Sequence, residues 1–296
     1  MFENFKENKI LVDGININFK IGGEGEPLLL LHGYPQTHVL WRKLAPLFAK
    51  HYTVICSDLR GYGDSDKPKS DDMHSTYSKK SMAFDQNELM KKLGFDKYYL
   101  VGHDRGGRVA HRMAVDYQEN IKKLSVLDIV PTSHVFDNTS ALLARRYYHW
   151  FFLIQSFPHP ETMIGKDPEY YIRSKLKMWG ANNDYLTEDI INEYLRCFTP
   201  EAIHASCEDY RAGASIDLLH HKEDAGKKII CPLQVLWGAK ATVEELYDPI
   251  KVWEDWADDV EGESIDCGHF LPEEKPIETY ESVSYTHLTL PTICSV

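Results

Sequence analysis

The stretch Leu100-Val101-Gly102-His103-Asp104-Arg105-Gly106-Gly107-Arg108 constrains the fold more than any other part of this 296-residue chain. An apolar run leads into it, and a helical pattern (Val109, Ala110, Met113, Ala114) leads out. A strand must therefore turn sharply into a helix here. Glycines on both sides of Asp104 permit a strained turn that exposes the middle side chain. A Gly-x-nucleophile-x-Gly turn presents a reactive group, and here that group is a carboxylate. A carboxylate attacks carbon in a displacement and leaves an ester, whereas a serine attacks an acyl group.

Short β-rich runs alternate with helical patterns on both sides of this turn, which predicts an α/β fold with a mostly parallel, doubly wound sheet. Strands are expected at Pro27–Leu31, Thr53–Ser57, Tyr98–Gly102, Leu124–Leu127, Leu233–Trp237 and Glu263–Asp266, several of them continuous apolar runs. Ile10–Lys20 reads as an antiparallel edge hairpin turning at Asp13-Gly14. Between Pro131 and about Ala214 aromatic helical segments replace the β-runs. Such an insertion suits a lid over the carboxyl ends of the strands, where ligands bind in these sheets. The expected division is a core over 1–133 and 214–283, a helical cap over 134–213, and an atypical tail over 284–296. The tail turns β-rich, is broken by Pro291, and reads as an extension foreign to the helix before it.

Composition narrows the function classes. Hydrophobic residues make up 43% and charged residues 26%, as in a globular protein. No run reaches the roughly 18 apolar residues of a membrane helix, and Met1–Lys9 lacks a signal-like apolar core, so a cytoplasmic protein is expected. A net charge of -12 argues against nucleic acid as a partner. It does not preclude a local cationic pocket for a small anion. The six cysteines (Cys56, Cys197, Cys207, Cys231, Cys267, Cys294) contain no C-x-x-C pair, so neither zinc nor a disulfide framework is expected. His111 and His220-His221 lack ligand spacing with acids, and no metal or cofactor is expected.

A carboxylate nucleophile needs a base to activate the water that hydrolyses its ester. His269, in Asp266-Cys267-Gly268-His269-Phe270 just after the last strand, is placed for that task. Two positions could supply the acid that orients it. Gly238–Thr242, after the strand ending at Trp237, contains none, and the following Glu244-Glu245 reads as a solvated pair opening a helix. Asp128 ends an apolar strand and needs a partner, which makes it the preferred acid. Arg105 and Arg108 are three apart at a helix N-terminus, on one face, and arginine grips a carboxylate bidentately.

Taken together, His32-Gly33-Tyr34-Pro35-Gln36, Asp58–Pro68, the Asp104 turn, Asp128, His149-Trp150 and Gly268-His269 resemble the fluoroacetate (haloacetate) dehalogenase group of the α/β-hydrolases. The resemblance covers nearly the whole chain to about Ser282. It implies that Asp104 displaces halide and that His269 with Asp128 activates water. It also implies that Arg105 and Arg108 clamp the substrate carboxylate, and that His149, Trp150 and a cap tyrosine hold the halide. Tyr210, in Glu208–Ala212, fits that tyrosine best, while for Trp179 cap core is preferred over the alternative of a place lining the pocket. The backbone N–H groups of Tyr34 and Arg105 are candidate oxyanion donors. A homodimer acting on a small haloacid follows from the resemblance alone. An epoxide hydrolase remains the alternative on the same fold, because Tyr147, Tyr170, Tyr171 and Tyr210 are available in the cap. A ligand receptor without turnover is the non-enzymatic alternative.

Overall fold

The computed structural model describes residues 1–288. Its strands are β1 (Lys6–Val12), β2 (Ile15–Gly22), β3 (Glu26–Leu31), β4 (Tyr52–Ser57), β5 (Tyr98–His103), β6 (Ile121–Leu127), β7 (Leu233–Gly238) and β8 (Val260–Ile265). They form one sheet in the order β1-β2-β4-β3-β5-β6-β7-β8. The β1–β2 hairpin turns at Asp13-Gly14, both at positive φ (46° and 80°), as a two-residue hairpin turn requires. From β4 onward all neighbours are parallel.

Burial explains the apolar runs. Leu28–Leu31 of β3, Val54–Cys56 of β4 and Leu233, Val235 and Leu236 of β7 are all excluded from solvent. Each such side chain contributes about 1.5–3 kcal/mol on leaving water. By contrast β8 is largely exposed, as its polar sequence VEGESI and edge position dictate. The order reverses between β3 and β5, so their carboxyl ends open a crevice suited to a ligand.

Between β6 and β7 the chain is entirely helical, from Thr132–Asp137 through Ile216–Glu223. Local chemistry sets the starts of its longer helices. The side chain of Asp167 caps Pro168–Trp179 through Tyr170 N, and Thr199 caps Pro200–Gly213 through Ala202 N. Both begin with proline, which lacks the amide that a first helical turn leaves unpaired. The insertion is tied to the sheet domain by Arg196–Asp64 at 2.6 Å and by Tyr194 donating to Glu273 at 3.0 Å. Among the described residues no helix is long and apolar enough to cross a membrane.

One expectation fails at the end of the chain. Ser284 does not begin a β-rich segment, because the last helix runs from Pro276 to Leu288. Val283 is fully buried, and Tyr280 packs its ring 5.1 Å from Phe48, so packing overrides the weak local preference. Pro291 and Cys294 lie outside the described residues. The other five cysteines are buried free thiols.

Candidate active site

The carboxyl ends of β3, β5, β6, β7 and β8 bring the proposed chemistry together. Asp104 starts the helix Asp104–Asp116 directly after β5, with φ at +47°. A non-glycine residue in this region carries backbone strain of order 1–3 kcal/mol, which the surrounding packing must hold. That packing leaves no room for side chains at the neighbouring glycines. A Cβ at Gly106 would lie 2.3 Å from the His32 carbonyl oxygen, and one at Gly33 only 2.4 Å from Asp104 Cβ. The close approach lets Tyr34 N donate to Asp104 Oδ2 at 2.8 Å, while Oδ1 has no hydrogen-bond donor among the described residues.

Apart from Tyr34 N, the His32–Gln36 and Asp58–Pro68 motifs act as scaffolding behind this loop. Buried Asp58 accepts from His38 N (2.7 Å), His38 Nδ1 (2.9 Å), Asn18 Nδ2 (2.9 Å) and Asp64 N (3.0 Å). The histidine charge next to it holds its carboxyl far below the usual range, against the opposing effect of burial.

His269 and Asp128 meet across 141 residues of sequence, with Nδ1 and Oδ2 2.5 Å apart. Asp128, itself at φ +53°, also accepts from Gly238 N at 3.1 Å. Burial alone would lower the His269 pKa, but its hydrogen bond to Asp128 and that residue's charge outweigh burial and raise it. With Nδ1 engaged, Nε2 is the nitrogen free to take a proton. His103 supports the same loop from β5. Burial first, and His269 next, push its pKa down to about 3, so a neutral ring donates Nε2–H to the His269 carbonyl oxygen at 2.8 Å. Neither Glu244 nor Glu245 serves His269: Glu244 accepts from Trp237 Nε1, and Glu245 pairs with exposed Arg146 at 2.7 Å.

A cavity of about 220 Å³ opens onto Asp104, Asp128 and His269, with Arg108, His149 and Trp150 in its wall. Arg108 donates from Nη1 to the Val130 carbonyl (2.7 Å) and Thr132 Oγ1 (3.1 Å), and its guanidinium sits 4.5 Å from the Trp150 ring. Its Nε is buried without a partner, a cost that an anion in the cavity would relieve. No carboxylate salt bridge is recorded for Arg108 among the described residues.

Arg105 departs from the simple two-arginine clamp. Its guanidinium donates to Asp209 from Nε (2.9 Å) and Nη2 (2.6 Å to the carboxylate, 2.8 Å to the carbonyl), and only Nη1 is left without a partner. Lys79 and Tyr62 bind the same carboxylate. Arg105 is absent from the cavity wall because a cap acid 104 residues away competes for it. The shared helical face holds, and both guanidinium groups approach the Trp150 ring (5.8 Å and 4.5 Å), but their hydrogen-bond partners differ.

The three residues expected to hold a halide form an aromatic cluster. Tyr210 stands edge-on to His149 (5.7 Å) and Trp150 (5.9 Å), and its buried hydroxyl has no partner. Like Arg105, it lies behind the wall rather than in it. Burial, reinforced by the Asp104 charge, raises its pKa, so it stays a protonated donor. Burial, then the Lys175 charge, lowers that of His149, keeping its ring neutral. Trp179 belongs to the wall, contrary to the expectation of cap core, with its ring 4.5 Å from His149 and 5.8 Å from His269. Its buried Nε1 lacks a partner.

Of the four cap tyrosines offered for epoxide chemistry only Tyr147 lines the cavity among the described residues, and sequence reasoning gave no role to Arg145 and Lys240, which line it too. It also passed over Lys175, a buried ammonium 3.8 Å from the Tyr148 ring centre and 5.5 Å from that of Trp179. Burial pushes its pKa down to about 7. A lysine four residues before Trp179 on one helix shares its face, which was the available signal.

Comparison with known proteins agrees with this geometry. The model of the alpha/beta hydrolase fold family matches residues 26–276. The chain is 43% identical over 281 residues to a fluoroacetate dehalogenase from Burkholderia sp, covering 94% of this chain and 92% of that one. It is 34% identical to a soluble epoxide hydrolase from Corynebacterium sp. (strain C12), covering 93% and 95%. A crystal structure of an alpha/beta hydrolase from Nostoc sp PCC 7120 superposes with a TM-score of 0.97 at 51% identity, covering 98% and 100%. With its sheet order, its strained Asp104 turn and these relatives, the chain belongs to the alpha/beta hydrolase fold family, in the group that holds that fluoroacetate dehalogenase.

Proposed function

We propose that this hydrolase is a haloacetate dehalogenase, converting a haloacetate and water to glycolate, halide and a proton. Asp104 Oδ1 attacks the halogen-bearing carbon, that carbon–oxygen bond forms as the carbon–halogen bond breaks, and halide leaves with the bonding pair. His269 Nε2 then takes a proton from water, and the hydroxide adds to Asp104 Cγ. Oδ2 carries the developing charge against Tyr34 N, already 2.8 Å away, with the Arg105 amide in the first helical turn as second donor. Collapse breaks the Cγ–Oδ1 bond, the histidine proton passes to the departing glycolate oxygen, and the acid left on Asp104 loses its water-derived proton to solvent, restoring the carboxylate.

The observation that carries this reading is the pairing of the strained Asp104 with Arg108 in one cavity wall, where the guanidinium has no carboxylate partner among the described residues. It gives the substrate's acid end a cationic partner in the wall, with the Arg105 guanidinium behind it adding positive charge at longer range. His149 and Trp150 supply N–H donors from the wall that strengthen as charge builds on halide, with the Tyr210 hydroxyl packed behind them as the proposed third, which matters most for a poor leaving group such as fluoride. The Burkholderia fluoroacetate dehalogenase supports the same substrate class.

Epoxide hydrolysis is the second reading, favoured by Tyr147 in the cavity wall and by the Corynebacterium relative. An ion-selective halide assay with fluoroacetate and chloroacetate, run beside diol formation from styrene oxide, separates the two. Halide release with no diol is the expected result. Diol without halide would replace this reading by the second.

A further inference from the structure

Glu274 ends the short helix Leu271–Glu274 that follows His269. In the structure its carboxylate is surrounded by four backbone amides. Oε2 accepts from Gly268 N at 3.0 Å, Ala181 N at 2.9 Å and Asn182 N at 3.1 Å, while Oε1 accepts from Phe270 N at 3.1 Å. Two of these donors flank His269, and the other two follow Trp179 and Gly180 in the cap. His269 N in turn donates to the Trp179 carbonyl oxygen at 2.9 Å. The contact is tight: a Cβ at Gly268 would lie 2.4 Å from Ala181 N and 2.6 Å from that carbonyl.

We infer that Glu274 is a positioning residue that locks the His269 loop to the cap, so that the base is aimed at the ester only when the cap is seated. The inference rests on the proposed role of His269. Amide hydrogen bonds to a carboxylate are charge-assisted and directional, so one side chain fixes two loops that the sheet does not otherwise join. His103 and Asp128 hold His269 from the core side, and Glu274 holds it from the cap side. Asp104 makes no contact with Glu274 in the structure. Loss of Glu274 therefore falls on water activation, and attack on the halogen-bearing carbon is spared.

The test separates the two half-reactions with chloroacetate. Ester formation on Asp104 is followed by mass spectrometry of quenched protein, and halide and glycolate release are followed in parallel. For Glu274→Gln the ester is expected to form within about threefold of the parent rate, but to hydrolyse ~10–100-fold more slowly and accumulate during turnover. Glu274→Ala should do the same more strongly; if it fails to fold, Glu274→Gln carries the test. Arg196→Gln, which removes the exposed 2.6 Å cap–core ion pair to Asp64, should leave the balance between the steps unchanged. A merely structural tie would slow both steps equally, and that result, or parent-like kinetics, overturns the inference. His269→Ala is run alongside: ester there but none in Glu274→Gln sinks the clamp alone, whereas no ester in either removes the underlying reading and the clamp with it.

Discussion

His269→Ala, incubated with chloroacetate, is expected to convert to a stable ester on Asp104 while glycolate release falls by about 10²–10⁴-fold, the range general-base removal commonly costs. The two steps use different groups. Displacement needs only the ionised Asp104 and a held substrate, so one equivalent of halide should still appear. Hydrolysis needs Nε2 of His269, whose other nitrogen is held 2.5 Å from Asp128. The trapped species is read by intact mass, and its position by peptide mapping. An unmodified protein would count against covalent catalysis. The raised His269 pKa also sets a pH dependence. A base works unprotonated, so hydrolysis in the parent should decline on acidification through a midpoint above the ordinary histidine value of about 6.5. Below that midpoint the ester should build up in the unaltered protein as well.

Arg108→Met should lower kcat/KM for chloroacetate by about 10²–10³-fold, because truncating a buried charge partner costs about 2–5 kcal/mol. Methionine keeps the packing volume against Trp150 while removing the charge. The comparison that isolates the effect is chloroacetamide, which has the same reacting carbon and no carboxylate. Its rate should change by less than about tenfold. Equal losses on both substrates would mean that Arg108 shapes the cavity and does not recognise the anion. Arg105 offers a contrast. Its three hydrogen bonds to Asp209 make it as much a strut between cap and core as a substrate contact, so its substitution would mix stability with recognition.

Legibility in the sequence followed the range of the interaction. The Asp104 turn is local: glycine spacing, an apolar strand before it and a helix after it specify the conformation within a few residues. Asp128 was readable because a carboxylate closing an apolar strand must be paid for by a partner, and parallel β6, β7 and β8 place that partner nearby. The apolar runs likewise yielded β3 to β7, whereas the polar edge strand β8 was placed three residues too late, at Glu263–Asp266 instead of Val260–Ile265. Long-range competition was not readable. Nothing near Arg105 announces that Asp209 will take two of its nitrogens. Trp179 reaches the cavity because Gly268 lets two backbones approach, a fact of packing with no periodic signature. Glu274 was invisible for a related reason, since its partners are backbone amides that carry no side-chain identity. The final helix shows the converse, where burial of Val283 extends a helix through residues whose local preference lies elsewhere.

The most direct test of the central claim is a single turnover in water enriched in oxygen-18, with enzyme in excess over chloroacetate. If the Asp104 carboxylate strikes carbon, its own oxygen leaves in glycolate: the first product should be unlabelled, with the heavy oxygen retained in the peptide containing Asp104. Glycolate carrying the label from that first turnover, with the peptide unlabelled, would mean that water attacks the substrate directly and would contradict the account.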